Sequence, residues 1–225
     1  MASLTNRFPA IPFVLPFATF IVLLGLRGYW PFDPKWEYPA RVIVTSAVLI
    51  FASRKIIAPK VSAPLFSVLV GILVFELWVM PDVLWPSYHH HWLFENKLMG
   101  LPQSSLNTNL RSDTLFLVFR IFGTAILVPI IEELFWRGWL MRYLINPDFK
   151  KVPLGTFSGF AFLVTVLLFA SEHGSFWDVG IVAGAVYCWW MIRTKTLADC
   201  ILAHAVTNAC LAIYVVEFNQ WQYWL

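Results

Sequence analysis

Charge is what this sequence has least of. Its 16 Lys and Arg and 13 Asp and Glu make up 13% of 225 residues, about half the share found in soluble domains. Such a chain cannot cover itself with a water-facing surface. The net charge of +3 comes from loop lysines and arginines. No basic stripe with interleaved aromatics occurs, so nucleic acid is excluded as a partner. Cysteine is also scarce. Cys188, Cys200 and Cys210 are an odd set within apolar segments, read as small buried side chains, not a disulfide framework or a metal site. Several catalytic signatures are missing. There is no Gly-x-Ser-x-Gly and no Cys with a local His partner. His-Glu-x-x-His is absent too, which excludes a zincin by motif. Internal repeats, low-complexity tracts and domain linkers are lacking as well.

What the chain has is long apolar runs. Hydrophobic residues reach 59% and mean hydropathy is +0.69. A spanning helix needs about 20 such residues. Runs at 8–26, 38–52, 61–80, 154–170, 176–192 and 197–216 fit that requirement, with Arg41 snorkelling from the second. Residues 113–144 stay apolar over about 48 Å of helix, against a hydrocarbon core of about 30 Å. That helix must tilt, or break near Gly123 or Pro129. The expected fold class is an all-α polytopic membrane protein of seven transmembrane helices, or eight if it breaks. It forms a single domain over 1–225, with N-terminal helices and a loop in 1–112 and catalytic helices in 113–217. The first run is read as a retained helix, not a cleaved signal. Nine basic residues fall on the N-terminal side and five on the other, which puts the N-terminus in the cytoplasm. The polar section 81–112, with His89, His90 and His91, is expected to be a surface or interfacial loop. Glu76 is expected to make a structural polar contact inside its span, or to line a cavity.

One stretch organises the rest: Pro129-Ile-Ile-Glu132-Glu133-Leu-Phe-Trp-Arg137-Gly138. A charge at mid-membrane costs about 2.5–3.5 kcal/mol on insertion scales, and here three lie within six residues. Glu133 and Arg137 are at i, i+4 in the favourable order and can pair. Glu132 sits about 100° round the helix and is left free to act. Arg120 is a further costly charge, a partner for a carboxylate on a neighbouring helix. His204 and Asn208, also at i, i+4, project together from another span, and His173 ends a third. Such a set supports water attack on a carbonyl. A carboxylate takes a proton from water, and a histidine holds that water or protonates the leaving amine. An amide and an imidazole can donate to the oxyanion. Zinc held by His173, His204 and Glu132 or Glu133 stays open chemically, as do a binding scaffold and a proton relay.

In chain order, Glu132-Glu133-x-x-x-Arg137-Gly138, Phe169-x-x-x-His173 and His204-x-x-x-Asn208 resemble the CPBP family of intramembrane proteases, which includes the type II CAAX prenyl endopeptidases and bacterial Abi proteins. The resemblance implies a helical bundle around a polar cavity in the membrane, and a glutamate-dependent, cofactor-free endopeptidase. Glu132 would activate water with His173, Glu133 and Arg137 would hold the site together, and His204 and Asn208 would stabilise the oxyanion. The substrate implied is a peptide or protein at the lipid bilayer, the C-terminal region of a membrane-associated or lipidated protein. The first three spans, including Gly71 to Trp78, look like the branch found beside bacterial exosortases. That likeness implies a bacterial inner membrane and an exosortase-type sorting system as partner. A non-hydrolytic sorting or immunity factor of the same fold is the alternative.

Overall fold

Apolar side chains cover much of the outside of this molecule, while several of its charged side chains are buried. The structure, a computed structural model, describes residues 8–57, 60–104 and 106–224. Arg7, used above in the charge count, lies outside them. Seven principal helices follow one another: α1 (Ile11–Gly25), α2 (Glu37–Ser53), α3 (Pro64–Leu84), α4 (Thr114–Tyr143), α5 (Gly159–Ser171), α6 (Trp177–Thr194) and α7 (Leu197–Glu217). No β-strand occurs among the described residues. Leu65, Phe66, Leu69 and Leu73 on α3 are exposed, as are Leu115, Val118, Phe122 and Ile126 on α4. Glu133, Arg137, Asp199 and His204 are buried. That inversion suits a lipid surround, where apolar surface costs nothing and charge must turn inward. The chain is an integral membrane protein.

The expected helices form, but they are unequal. Among the described residues, only α3, α4, α7 and the segment Gly174–Thr194 that contains α6 are long and apolar enough to cross a bilayer. At 15, 17 and 13 residues, α1, α2 and α5 are shorter. The 13 residues of α5 rise only about 20 Å. Seven spans are therefore not established, although seven principal helices are present.

The long segment does not break into two helices but runs on from Thr114 to Tyr143. Two π-helical stretches, Gly123–Leu127 and Leu134–Leu140, bracket the α-helical Val128–Glu133. The first precedes Pro129, where a widened turn accommodates the ring and its missing donor. Local sequence explains the ends. Asp113 caps α4 by accepting from the Phe116 amide at 2.9 Å. Lys195 takes a left-handed φ of 58° and closes α6. Asp199, fully buried, accepts from the Ala63 amide at 2.8 Å, the Ser62 amide at 3.2 Å and the Ser67 hydroxyl at 3.1 Å. It also accepts from the Thr196 hydroxyl. One carboxylate thus ties the starts of α3 and α7 together.

α1 packs on α2, α3 on α7, and α5 on α6, while the middle of α4 lies against α7. Gly71 lets α3 approach α7 closely, because a Cβ there would overlap the Ala203 carbonyl oxygen and Val206. Three expectations need correcting. Glu76 is exposed, not a core contact. Arg41 does not snorkel; it is 5% exposed and pairs with Glu37 at 3.3 Å. His89, expected in a surface loop, is 1% exposed. It lies between Asp82 (2.7 Å) and Asp178 (3.1 Å), and Tyr223 donates to Asp82 at 2.9 Å. This clamp fastens the 81–112 section and the C-terminal segment to α3 and α6.

Two outcomes follow from these contacts. Gly71→Ala should destabilise the protein by about 1–3 kcal/mol, while Gly159→Ala, where a Cβ meets nothing within 4 Å, should not. Thermal melting in detergent checks the pair. Burial works against a charged His89, but its hydrogen bonds to Asp178 and Asp82 prevail and raise its pKa from 6.5 to about 9. A raised folded-state pKa gives stability that is complete below pH 6.5 and lost as pH rises through about 9. Melting temperature should therefore fall across that window in the wild type and flatten in His89→Gln; equal slopes would refute the clamp.

Candidate active site

Depth decides whether the predicted residues can meet. α4 ends, α5 begins, α6 ends and α7 begins on one face of the bundle. Counted from that face at 1.5 Å per residue, Glu132 and Asn208 lie about 16 Å deep, His173 about 20 Å and His204 about 10 Å. Because α5 stops short, His173 is set within the apolar zone and not at its far edge. Glu132, His173, His204 and Asn208 all line one cavity of about 160 Å3.

Its floor is an ion-pair network. Glu133 Oε1 accepts from Arg137 Nη1 at 2.9 Å and pairs with His204 Nδ1 at 3.0 Å. Glu133 and Arg137 side chains are both 0% exposed. Arg137 Nη2 donates to the Gly184 carbonyl at 3.1 Å, so α4, α6 and α7 meet at one carboxylate. The Arg137 guanidinium lies 4.6 Å over the Phe169 ring. Tyr187 stacks on the His204 imidazole at 4.8 Å and donates its hydroxyl to Thr207 at 2.7 Å. Thr207 in turn donates to the Gly71 carbonyl at 2.8 Å. The imidazole is thereby fixed by an ion pair at one edge and a ring on one face.

The groups facing the cavity are less committed. Glu132 Oε2 is buried without a hydrogen-bond partner among the described residues. His173 Nδ1 lies 2.8 Å from the Phe169 carbonyl. A carbonyl only accepts, so Nδ1 carries the proton and a neutral ring keeps its Nε2 lone pair free. Trp78 packs against the same ring at 5.1 Å. Asn208 donates one N–H to the Thr124 carbonyl at 2.8 Å, within the first π-helical stretch. Its second N–H and its oxygen remain for a ligand.

Six residues singled out from sequence, Glu132, Glu133, Arg137, His173, His204 and Asn208, are thus gathered around one site. Arg120 lines its rim and lies over the rings of Tyr38 (4.6 Å) and Trp224 (5.4 Å). Tyr187, Thr207 and Thr124 were not foreseen. Thr207 lies one turn from His204, which is a usable signal; Tyr187 gives none. Among the described residues no three His, Cys, Asp or Glu side chains are grouped as metal ligands.

Comparison with known proteins bears on the same stretch. Residues 114–210 match the family described as Type II CAAX prenyl endopeptidase Rce1-like. The match covers less than half of the chain and is a likeness of these residues to that family. The match runs from the first turn of α4 to just beyond Asn208, so it encloses Glu132, Glu133, Arg137, His173, His204 and Asn208. At family level it identifies CAAX-type intramembrane protease helices of the CPBP group. The uncharacterized protein YyaK of Bacillus subtilis (strain 168) is 32% identical over 115 residues, 45% of this chain and 36% of that protein. The chain thus spans little more than a third of the length of the curated relative it matches. No solved structure matches.

Breaking the buried network should be costly. Arg137→Met removes the guanidinium from buried Glu133, leaving it only His204, and should lower stability by about 3–5 kcal/mol. Adding Glu133→Gln to it should recover part of that loss, read as a double-mutant cycle on melting curves in detergent. A strictly additive cycle would show that the two groups do not act as a pair.

Proposed function

We propose that this protein is an intramembrane endopeptidase that hydrolyses a peptide bond with water activated by Glu132 and His173. The observation that carries this reading is the shared cavity: an unpartnered carboxylate oxygen and a tautomer-fixed imidazole face one space with Asn208 and His204. The family likeness of the same helices supports it.

In this reading Glu132 takes a proton from a water that His173 Nε2 also holds, and the hydroxide attacks the carbonyl carbon. The developing oxyanion is met by the spare Asn208 N–H and by His204 Nε2. The Glu133 contact at Nδ1 sets the direction in which the His204 ring presents Nε2 to the cavity. The proton on Glu132 then passes to the leaving amine, which restores the carboxylate. Glu133 and Arg137 position His204 and touch no reacting atom.

The substrate is a C-terminal region of a membrane-associated or lipidated protein. In this reading the basic face carrying Arg142, Lys150, Lys151, Arg193 and Lys195 faces the cytoplasm of a bacterial inner membrane. An exosortase-type sorting system is the partner that this reading names.

Purified protein in nanodiscs, given farnesylated CAAX peptides and a panel of membrane-protein C-termini, tests the proposal. Cleavage should survive chelators. It should fall at least about 100-fold in Glu132→Gln and about 100- to 1,000-fold in Asn208→Ala. Cleavage lost to chelator and restored by zinc would replace the glutamate mechanism with a metal one. Binding of these peptides without hydrolysis would favour a sorting or immunity factor.

A further inference from the structure

Among the described residues, none that lines the catalytic cavity lies near the basic face. Counted from that face at 1.5 Å per residue, the nearest lining residues, His204 and Tyr187, are about 10 Å in. Leu211 and Trp78 are about 21 Å in, and Thr124 about 28 Å. The space therefore runs from mid-bundle toward the opposite face, where α7 ends. A larger cavity of about 640 Å3, between α1, α2 and the N-terminal half of α4, shares Arg120, Thr124 and Val128 with it.

The segment 218–224 closes that end. Asn219 takes a left-handed φ of 56°, which asparagine tolerates better than most side chains, and the Gln220 amide bonds back to the Val215 carbonyl at 3.1 Å. Tyr223 and Trp224, 8% and 3% exposed, then line the cavity. The Tyr223 hydroxyl donates to Asp82 at 2.9 Å, and the Trp224 carbonyl accepts from the Ser104 hydroxyl at 3.0 Å. The Arg120 guanidinium lies 5.4 Å from the Trp224 ring, and the Tyr223 ring packs against Phe176 at 5.3 Å. Among the described residues, backbone-to-backbone hydrogen bonds of 218–224 reach only 214–221.

At about 160 Å3 the cavity is smaller than the roughly 300–1,000 Å3 of ordinary ligand pockets. An extended peptide fits only when part of the wall moves. The helices α4, α6 and α7 are tied together through Glu133 and Arg137, whereas two side-chain hydrogen bonds and ring packing hold 218–224 over the opening. We propose that this segment is a strap across the mouth of the catalytic cavity, and that the peptide enters from the face opposite the basic loops by displacing it. The inference rests on the protease reading and adds to it the side of entry. With the basic face in the cytoplasm, the segment cut is one presented on the far side of the membrane. Trp224 packs on Arg120, which lines both cavities, so its departure joins the two spaces into one groove along Arg120, Thr124 and Val128.

The test reads access separately from turnover. Leu211→Cys lines the cavity away from the reacting groups; it is made with Cys210→Ala, the other two cysteines being 0% exposed. Full-length protein is reconstituted in vesicles of one orientation, checked by labelling Lys151→Cys, and exposed to a membrane-impermeant maleimide. Leu211→Cys should be labelled when Lys151 faces inward and not when it faces outward. Adding Tyr223→Phe or Trp224→Ala should speed labelling about 2- to 10-fold, as loss of one hydrogen bond allows, and raise kcat/KM for peptide cleavage by a similar factor. If Trp224→Ala does not fold, Tyr223→Phe, which loses one hydroxyl, carries the result. Labelling from the basic face, or from neither face, would overturn the side of entry. Rates that neither variant raises would overturn the strap. Labelling as expected with no cleavage of any peptide would defeat the protease reading and leave the strap standing.

Discussion

The arrangement around the smaller cavity depends on a carboxylate held out of water between a guanidinium and an imidazole. Glu133 draws Arg137 from its own helix and His204 from α7, and Arg137 reaches on to a carbonyl of α6. Each ion alone would be expensive in this surround. Together they share their desolvation and fix the mutual rotation of three helices. Glu132, the next residue round the helix, inherits its direction from that lock. A charge cluster that looks costly by composition is what makes the neighbouring carboxylate's position definite.

Much of this was legible in the sequence, for identifiable reasons. Apolar runs locate helices because bilayer length is a strong filter. Pairs at i, i+4, such as Glu133 with Arg137 and His204 with Asn208, declare a shared face from spacing alone. Three matters were hidden. The π-helical stretches around Glu132 leave no mark beyond Pro129 and Gly123, since extra residues per turn are a backbone choice. The shortness of α5 was masked because the apolar pattern of 154–170 extends before the helix begins at Gly159. The burial of His89 depends on Asp82 and Asp178, the latter 89 positions away, and the buried anchor Asp199 likewise gains its donors only on assembly. Long-range partners of this kind cannot be read from local pattern.

The two cavities meet along one stripe of α4, the smaller holding the reacting groups and the larger bounded by α1 and α2. The family match covers most of the first, leaving out Trp78, Leu211, Tyr223 and Trp224, and touches the second only through α4. α1 and α2, which supply Arg27 and Arg41, lie outside the matched residues.

The abrupt end of α5 has a further consequence. The carbonyl that orients His173 is that of Phe169, in the last turn of the helix, where carbonyls lack their usual intrahelical partners. Helix length, ring tautomer and immersion depth are therefore one variable. Inserting a single residue into α5 would swing His173 by about 100° and shift it by about 1.5 Å, whereas the same insertion in the polar turn before Gly159 would be absorbed there. The helix works as a ruler, and selection on this protein should tolerate loops of many lengths beside a segment of only one.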